Sequence, residues 1–91
     1  MNTDTPLPDL ISYPSLFPIK VFGLAEPDFV TFVLALIRPH YPADEEDVKI
    51  NYSNEGKYIS LTVMIHATSK AQLDAIYVAL SAEKQRILMV L

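Results

Sequence analysis

Tyr58, Ser60, Thr62 and His66 fall on one side of the alternating run Tyr58-Ile59-Ser60-Leu61-Thr62-Val63-Met64-Ile65-His66. An imidazole and several hydroxyls on a common face suggest a hydrolytic site, in which a base takes the proton of a nucleophilic hydroxyl. That chemistry requires base and nucleophile in hydrogen-bond contact, with a third group orienting the base. His66 and Thr62 lie four positions apart, roughly 13 Å along an extended strand, which is out of reach. No catalytic residue is assigned, and an enzyme is not expected. The acidic run Asp44-Glu45-Glu46-Asp47 is the other concentration of potential ligands. Consecutive side chains cannot all converge on one ion, and the spaced carboxylates and central glycine of a calcium loop are missing, so the run reads as a solvated loop. His40 and His66 are far apart in the chain, and there is no cysteine, which removes thiolate zinc sites, thiol nucleophiles and disulfides. Neither a metal nor a cofactor is expected.

The elements that position these residues follow from composition and periodicity. The chain has 91 residues, enough for one small domain, and is 51% hydrophobic, so it can build a core without staples. Its net charge of −4 repels phosphate backbones, and nucleic acid is disfavoured as a partner. No apolar run approaches the roughly 18 residues that span a bilayer, and the opening Met1–Pro6 lacks the pattern of a secretory signal. A cytoplasmic protein without membrane contact is expected.

Pro6, Pro8 and Pro14 mark residues 1–15 as a flexible arm, which Leu10, Ile11 and Tyr13 could dock onto the body. The single domain then covers 16–91. A first strand is expected over Phe17–Phe22, ended by Gly23. A helix follows from Pro27, a residue suited to the first helical turn, with Asp28 beside its positive end, and Pro39 stops it after Arg38. Phe29, Val33, Leu36 and Ile37 share its core face, flanked by Val30 and Leu34 on one side and Phe32 on the other. That apolar arc spans roughly 200°, more than one sheet face needs.

A second strand is expected over Val48–Ser53 and a third over Lys57–Ala67, joined at Asn54-Glu55-Gly56, where glycine can take a positive φ. Ile59, Leu61, Val63 and Ile65 form its inward side. Ser69-Lys70-Ala71-Gln72 has the form of a capping box, opening a helix with Leu73, Ile76, Tyr77 and Leu80 on one face and an end near Ala82–Lys84. A last strand covers Arg86–Leu91, with Ile87, Met89 and Leu91 expected in the core and Leu88 and Val90 on the opposite face.

The order βαββαβ with right-handed crossovers gives an α+β, ferredoxin-like sandwich: a four-stranded antiparallel sheet with both helices on one face and spatial order 4-1-3-2. The other face stays open. It would hold Lys20, Phe22, Asn51, Tyr58, Ser60, Thr62, Met64, His66, Arg86, Leu88 and Val90. Apolar side chains in that set suggest a covered surface, and an RNA-recognition surface using Phe22 and Tyr58 is the alternative.

Gly56-x-Tyr58-x-Ser60-x-Thr62, Ala67-Thr68, Gln72-Leu73, Ile76-Tyr77, Leu80 and Met89-Val90-Leu91 resemble the YbeD-like family of small uncharacterised bacterial proteins. Tyr13-Pro14 and Lys20-Val21-x-Gly23 extend the resemblance to residues 10–91. The family is similar in fold to ACT-type regulatory domains, which sense small metabolites and pair through their sheets, and its members are often encoded beside lipoate-attachment enzymes. The resemblance places a candidate ligand loop at Gly23, Pro27 and Asp28. Asp28 sets a negative charge where an ACT domain has a glycine and receives its anionic ligand. These readings lead to a small regulatory or adaptor domain that acts by non-covalent binding. Its partner would be a protein, a second copy through the open face, or a small metabolite.

Overall fold

The computed structural model describes residues 12–53 and 55–91. Strand β1 (Ser15–Leu24) is followed by helix α1 (Phe29–Ile37), a 3-10 turn (Glu45–Asp47), β2 (Val48–Tyr52), β3 (Tyr58–Ala67), α2 (Lys70–Ser81) and β4 (Ile87–Val90). The strands form one sheet in the order β2-β3-β1-β4, and every neighbouring pair is antiparallel. This is the ferredoxin-like arrangement, with β1 and β3 central.

The centre of the sheet is built from two strands with strict alternation. β1 and β3 pair in unbroken register from Ser15 opposite Ala67 to Leu24 opposite Tyr58. Ile19 and Val21 of β1, and Ile59, Leu61, Val63 and Ile65 of β3, turn toward the helices and are buried. They meet Phe29, Val33, Leu34 and Ile37 of α1 and Leu73, Ile76 and Leu80 of α2 in one cluster. Full burial of each aliphatic side chain contributes about 1.5–3 kcal/mol. No polar or charged side chain among the described residues is buried, so this core has no desolvated group to satisfy.

Local signals set the ends of the elements. Ser69 Oγ accepts from the Gln72 N–H at 3.1 Å, capping α2. Gln72 Oε1 accepts from the Thr68 N–H at 2.8 Å, and its Nε2 donates to the His40 carbonyl at 3.0 Å, tying α2 to the loop after α1. Gly56 takes φ 70° in the β2–β3 connection, a conformation with steric cost for any residue bearing Cβ.

Several expectations need correction. β1 runs through Gly23 to Leu24, because Gly23 pairs with Ile59 on one side and Ile87 on the other. α1 begins at Phe29, and Pro27 and Asp28 form a turn ahead of it, with the Phe29 N–H donating to the Glu26 carbonyl at 3.1 Å. Leu34 is buried and Leu36 half-buried, so the helix is rotated slightly toward its Leu34 flank. Ser15 already belongs to β1 and Tyr13 packs on the core. Residues 1–11 of the proposed arm, with Leu10 and Ile11, lie outside the described residues, as does Asn54.

The largest difference is in β4. Phe22 faces Met89 and Val21 faces Val90, but Gly23 faces Ile87, so Leu88 is an extra residue in a bulge. A bulge shifts alternation by one position. Ile87 and Val90 therefore both pack toward the core, Val90 only in part, while Met89 shares the open-face side with Phe22. Leu91 exchanges both backbone hydrogen bonds with Lys20, at 3.0 and 2.8 Å, and is 59% exposed. The expectation that Met89 and Leu91 complete the core is thus overturned, as is the placement of Val90 on the open face.

Candidate functional site

The Gly23–Asp28 loop is filled by the protein's own side chains. A Cβ on Gly23 would lie 2.5 Å from the Phe29 ring and 2.6 Å from the Arg86 carbonyl oxygen, so only glycine lets these three segments meet. Asp28 stands at the N-cap of α1, yet its carboxylate takes no helix N–H. It faces Arg86 instead. Arg86 Nη2 donates to Asp28 Oδ1 at 2.6 Å and Nη1 to Oδ2 at 3.3 Å, while Nε donates to Glu26 Oε1 at 2.9 Å. The guanidinium carbon lies 4.1 Å from the centroid of the Phe32 ring, which covers part of the wide apolar arc of α1.

The electrostatic consequence is reciprocal. Hydrogen bonds from Arg86 hold the Asp28 carboxyl below its ordinary value, with desolvation working against them. The same bonds keep the Arg86 guanidinium protonated even more firmly than usual. A fork of N–H donors meeting a carboxylate is the geometry in which Arg binds most selectively. The positive end of α1 thus already faces an acid–base pair supplied by the chain. An anionic ligand approaching in the ACT manner would meet Asp28 and Glu26 and would have to take Arg86 from both.

Arg86 therefore leaves the open face on which sequence reasoning placed it. It precedes β4 and turns to the β1–α1 loop, 58 residues away from Asp28 in the chain. Lys20, Phe22, Tyr58, Met64 and His66 do share the open face, in cross-strand pairs with Thr62, Ser60, Leu24, Pro18 and Leu16. Leu88 is exposed at the bulge, beside the end of α2 near Ser81 and Lys84. Met89 and Leu91 take the open-face role assigned to Leu88 and Val90. The signal that could have revealed this, a slip in β4 pairing, is not carried by alternation.

Two features of the open face stand out. No Asp or Glu lies in any of the four strands, although the chain holds 11 such residues. Lys49 of β2, Thr62 of β3, Lys20 of β1 and Leu91 form one continuous cross-strand row. The next row holds Asn51, Ser60, Phe22 and Met89, and Tyr58 borders the shallow depression around Phe22, Asn51 and Ser60. His66, at the far end of β3, is exposed opposite Leu16, two rows beyond Thr62. Among the described residues, no group of three or more His, Asp or Glu side chains is arranged to hold a metal ion, and no helix is long and apolar enough to cross a membrane.

This geometry has relatives. A family model described as "Protein of unknown function (DUF493)" matches residues 8–91. A UPF0250 protein of Janthinobacterium sp. (strain Marseille) is 46% identical over 83 residues, covering 90% of this chain and 91% of the relative. The UPF0250 protein NE1487 of Nitrosomonas europaea is 42% identical, covering 78% of this chain and 83% of its own. The solution structure of protein HP0495 from H. pylori superposes with a TM-score of 0.72 at 20% identity, covering 99% of this chain and 91% of that one. A likeness at that identity carries the fold alone, and it agrees with the ferredoxin-like topology. With matches of this extent, and in keeping with the YbeD-like resemblance of its motifs, the chain belongs to the DUF493/UPF0250 family of proteins of unknown function.

Proposed function

We propose that this protein is a small cytosolic regulatory or adaptor domain that acts by non-covalent docking of a protein partner on its open sheet face. One observation carries the reading. The strands place no carboxylate on that face, yet it exposes Leu16, Leu24, Met89 and Leu91, with Met89 at 49% and Leu91 at 59% of full exposure. Apolar side chains scattered singly are ordinary on a surface, but a group of them on one sheet face favours burial against a partner. The self-occupied Gly23–Asp28 loop favours this reading over metabolite binding there, since Arg86 already holds both loop carboxylates.

Immobilised protein is exposed to native bacterial lysate in parallel with Met89→Glu, which puts a charge in the apolar part of the face without touching the core. A protein retained by the first and lost from the second supports the reading. Equal retention by both overturns it. The RNA alternative rests on Phe22 and Tyr58 near Asn51 and Ser60, but the acidic net charge of −4 opposes it.

A further inference from the structure

We propose that the partner segment received by the open face is acidic and apolar, its carboxylates meeting Lys20 and Lys49 and its apolar side chains meeting Phe22, Met64 and Met89. The inference rests on the reading of the open face as a docking surface and names the chemistry of its occupant.

Charge complementarity carries the argument. Lys20 and Lys49 flank Thr62 in one row, separated by two interstrand spacings, roughly 10 Å between their Cα atoms. Both are exposed, and neither ammonium group makes a hydrogen bond or ion pair among the described residues. Arg38 pairs with Asp44, Lys70 with Asp74, and Arg86 with Glu26 and Asp28, while Lys57 lies 5.7 Å from the centroid of the Tyr58 ring and Lys84 falls after α2, outside the strands. The hydroxyls of Thr62 and, one row on, Ser60 lie between the two lysine-bearing strands and can donate to the same carboxylates. An acidic protein thus presents two unneutralised lysines beside an apolar strip.

The surroundings of the row discriminate among occupants. Glu46 and Asp47 close the face at its β2 end, bordering the depression that holds Lys49, Thr62 and Met64. Asp47 is already committed, since its Oδ2 accepts from the Asp44 N–H at 2.9 Å. Those rim carboxylates repel a long polyanion that continues past Lys49, whereas a nucleic-acid strand needs a positive track along its backbone. A short acidic segment ends before it reaches them. A second copy of this chain is a poor occupant for a different reason: its own strands carry no carboxylate to meet the two lysines.

The test uses the isotope-labelled full chain and records amide shifts by NMR with three probes. These are an octapeptide alternating Glu and Phe, its counterpart alternating Lys and Phe, and an eight-nucleotide oligouridine. The acidic peptide is expected to shift amides of Lys20, Phe22, Lys49, Thr62 and Met89, with affinity falling roughly ten-fold between 50 and 300 mM salt. In Lys20→Glu/Lys49→Glu, both changes lying at exposed positions, the preference is expected to reverse toward the Lys peptide. Equal binding of the two peptides, or unchanged binding of the acidic one to the double variant, overturns the acidic chemistry while leaving the open face as a docking surface. Tighter binding of oligouridine overturns it in favour of nucleic acid. Shifts confined to the helix face with every probe overturn it together with the docking surface itself. Sedimentation of the unliganded chain gives a separate check, since a dimer abolished by Met89→Glu makes a second copy the occupant and overturns the proposal.

Discussion

Gly23→Ala places one methyl group where β1, the start of α1 and the approach to β4 converge. The added carbon would sit 2.5 Å from two atoms of the Phe29 ring and 2.6 Å from the Arg86 carbonyl oxygen. Carbon–carbon contacts are most favourable near 3.5–4.0 Å, so the overlap approaches about 1 Å on two sides. Phe29 is fully buried, and the Arg86 carbonyl belongs to backbone that leads directly into sheet pairing at Ile87 opposite Gly23. Neither obstacle is the far end of a flexible side chain. Overpacking of this kind costs about 1–3 kcal/mol, and the backbone obstacle places this site near the upper value. For a domain of this size a loss of about 3 kcal/mol lowers Tm by roughly 12–24 °C. Urea unfolding followed by far-ultraviolet circular dichroism measures it. A change below about 0.5 kcal/mol would show that the three segments do not meet as described. Phe29→Leu removes the ring, so the double variant Gly23→Ala/Phe29→Leu is expected to fall short of additivity by about 1 kcal/mol. Strict additivity refutes the role of the ring. Gly56→Ala is the contrasting control: nothing lies within 4 Å of its would-be Cβ, and its cost is the left-handed backbone alone, about 1–2 kcal/mol.

Three further outcomes are expected. Ser69→Ala removes the oxygen that accepts from the Gln72 N–H and is expected to cost about 1 kcal/mol in urea unfolding, with Ser69→Asn keeping most of the stability. Asp28 has a lowered folded-state pKa, so its contribution is present above the ordinary carboxylate value and is lost as pH falls through the folded one. Asp28→Asn is therefore expected to flatten part of the stability decline below about pH 4, and an unaltered acid limb in pH-dependent unfolding would contradict the clamp. Burial raises the Tyr77 phenol above its ordinary value, and the stability tied to it is lost as pH rises through that higher value. Absorbance titration at alkaline pH is expected to show a late-ionising tyrosine that disappears in Tyr77→Phe.

Much of the architecture was legible because its signals are local. The alternation of Ile59, Leu61, Val63 and Ile65, the Ser69 cap, Pro39 after α1 and Gly56 in the hairpin each act within a few residues. Together they imply the order of elements, and handedness then restricts the topology. The open-face positions Lys20, Phe22, Tyr58, Met64 and His66 were also legible, since they follow from the same alternation. Arg86 was not. Its partners Glu26 and Asp28 lie 60 and 58 residues away, and no periodicity in the chain links them.

Sequence by itself determined the two central strands, the helices that cover them, and the absence of carboxylates from every strand. Tertiary structure decided which apolar residues of the last strand reach the core. Period-two alternation says that neighbours point to opposite faces, but it does not say where a strand locks against its partner. Here Gly23 lets Phe29 and the Arg86 backbone approach β1, Leu88 is expelled as a bulge, and Met89 moves to the open face while Val90 turns inward. The same approach brings Arg86 over Phe32 to Asp28 and closes the loop. Close packing around one glycine thus shapes both the open sheet face and the occupied loop, because a Cβ-free position is where separate segments can come nearest.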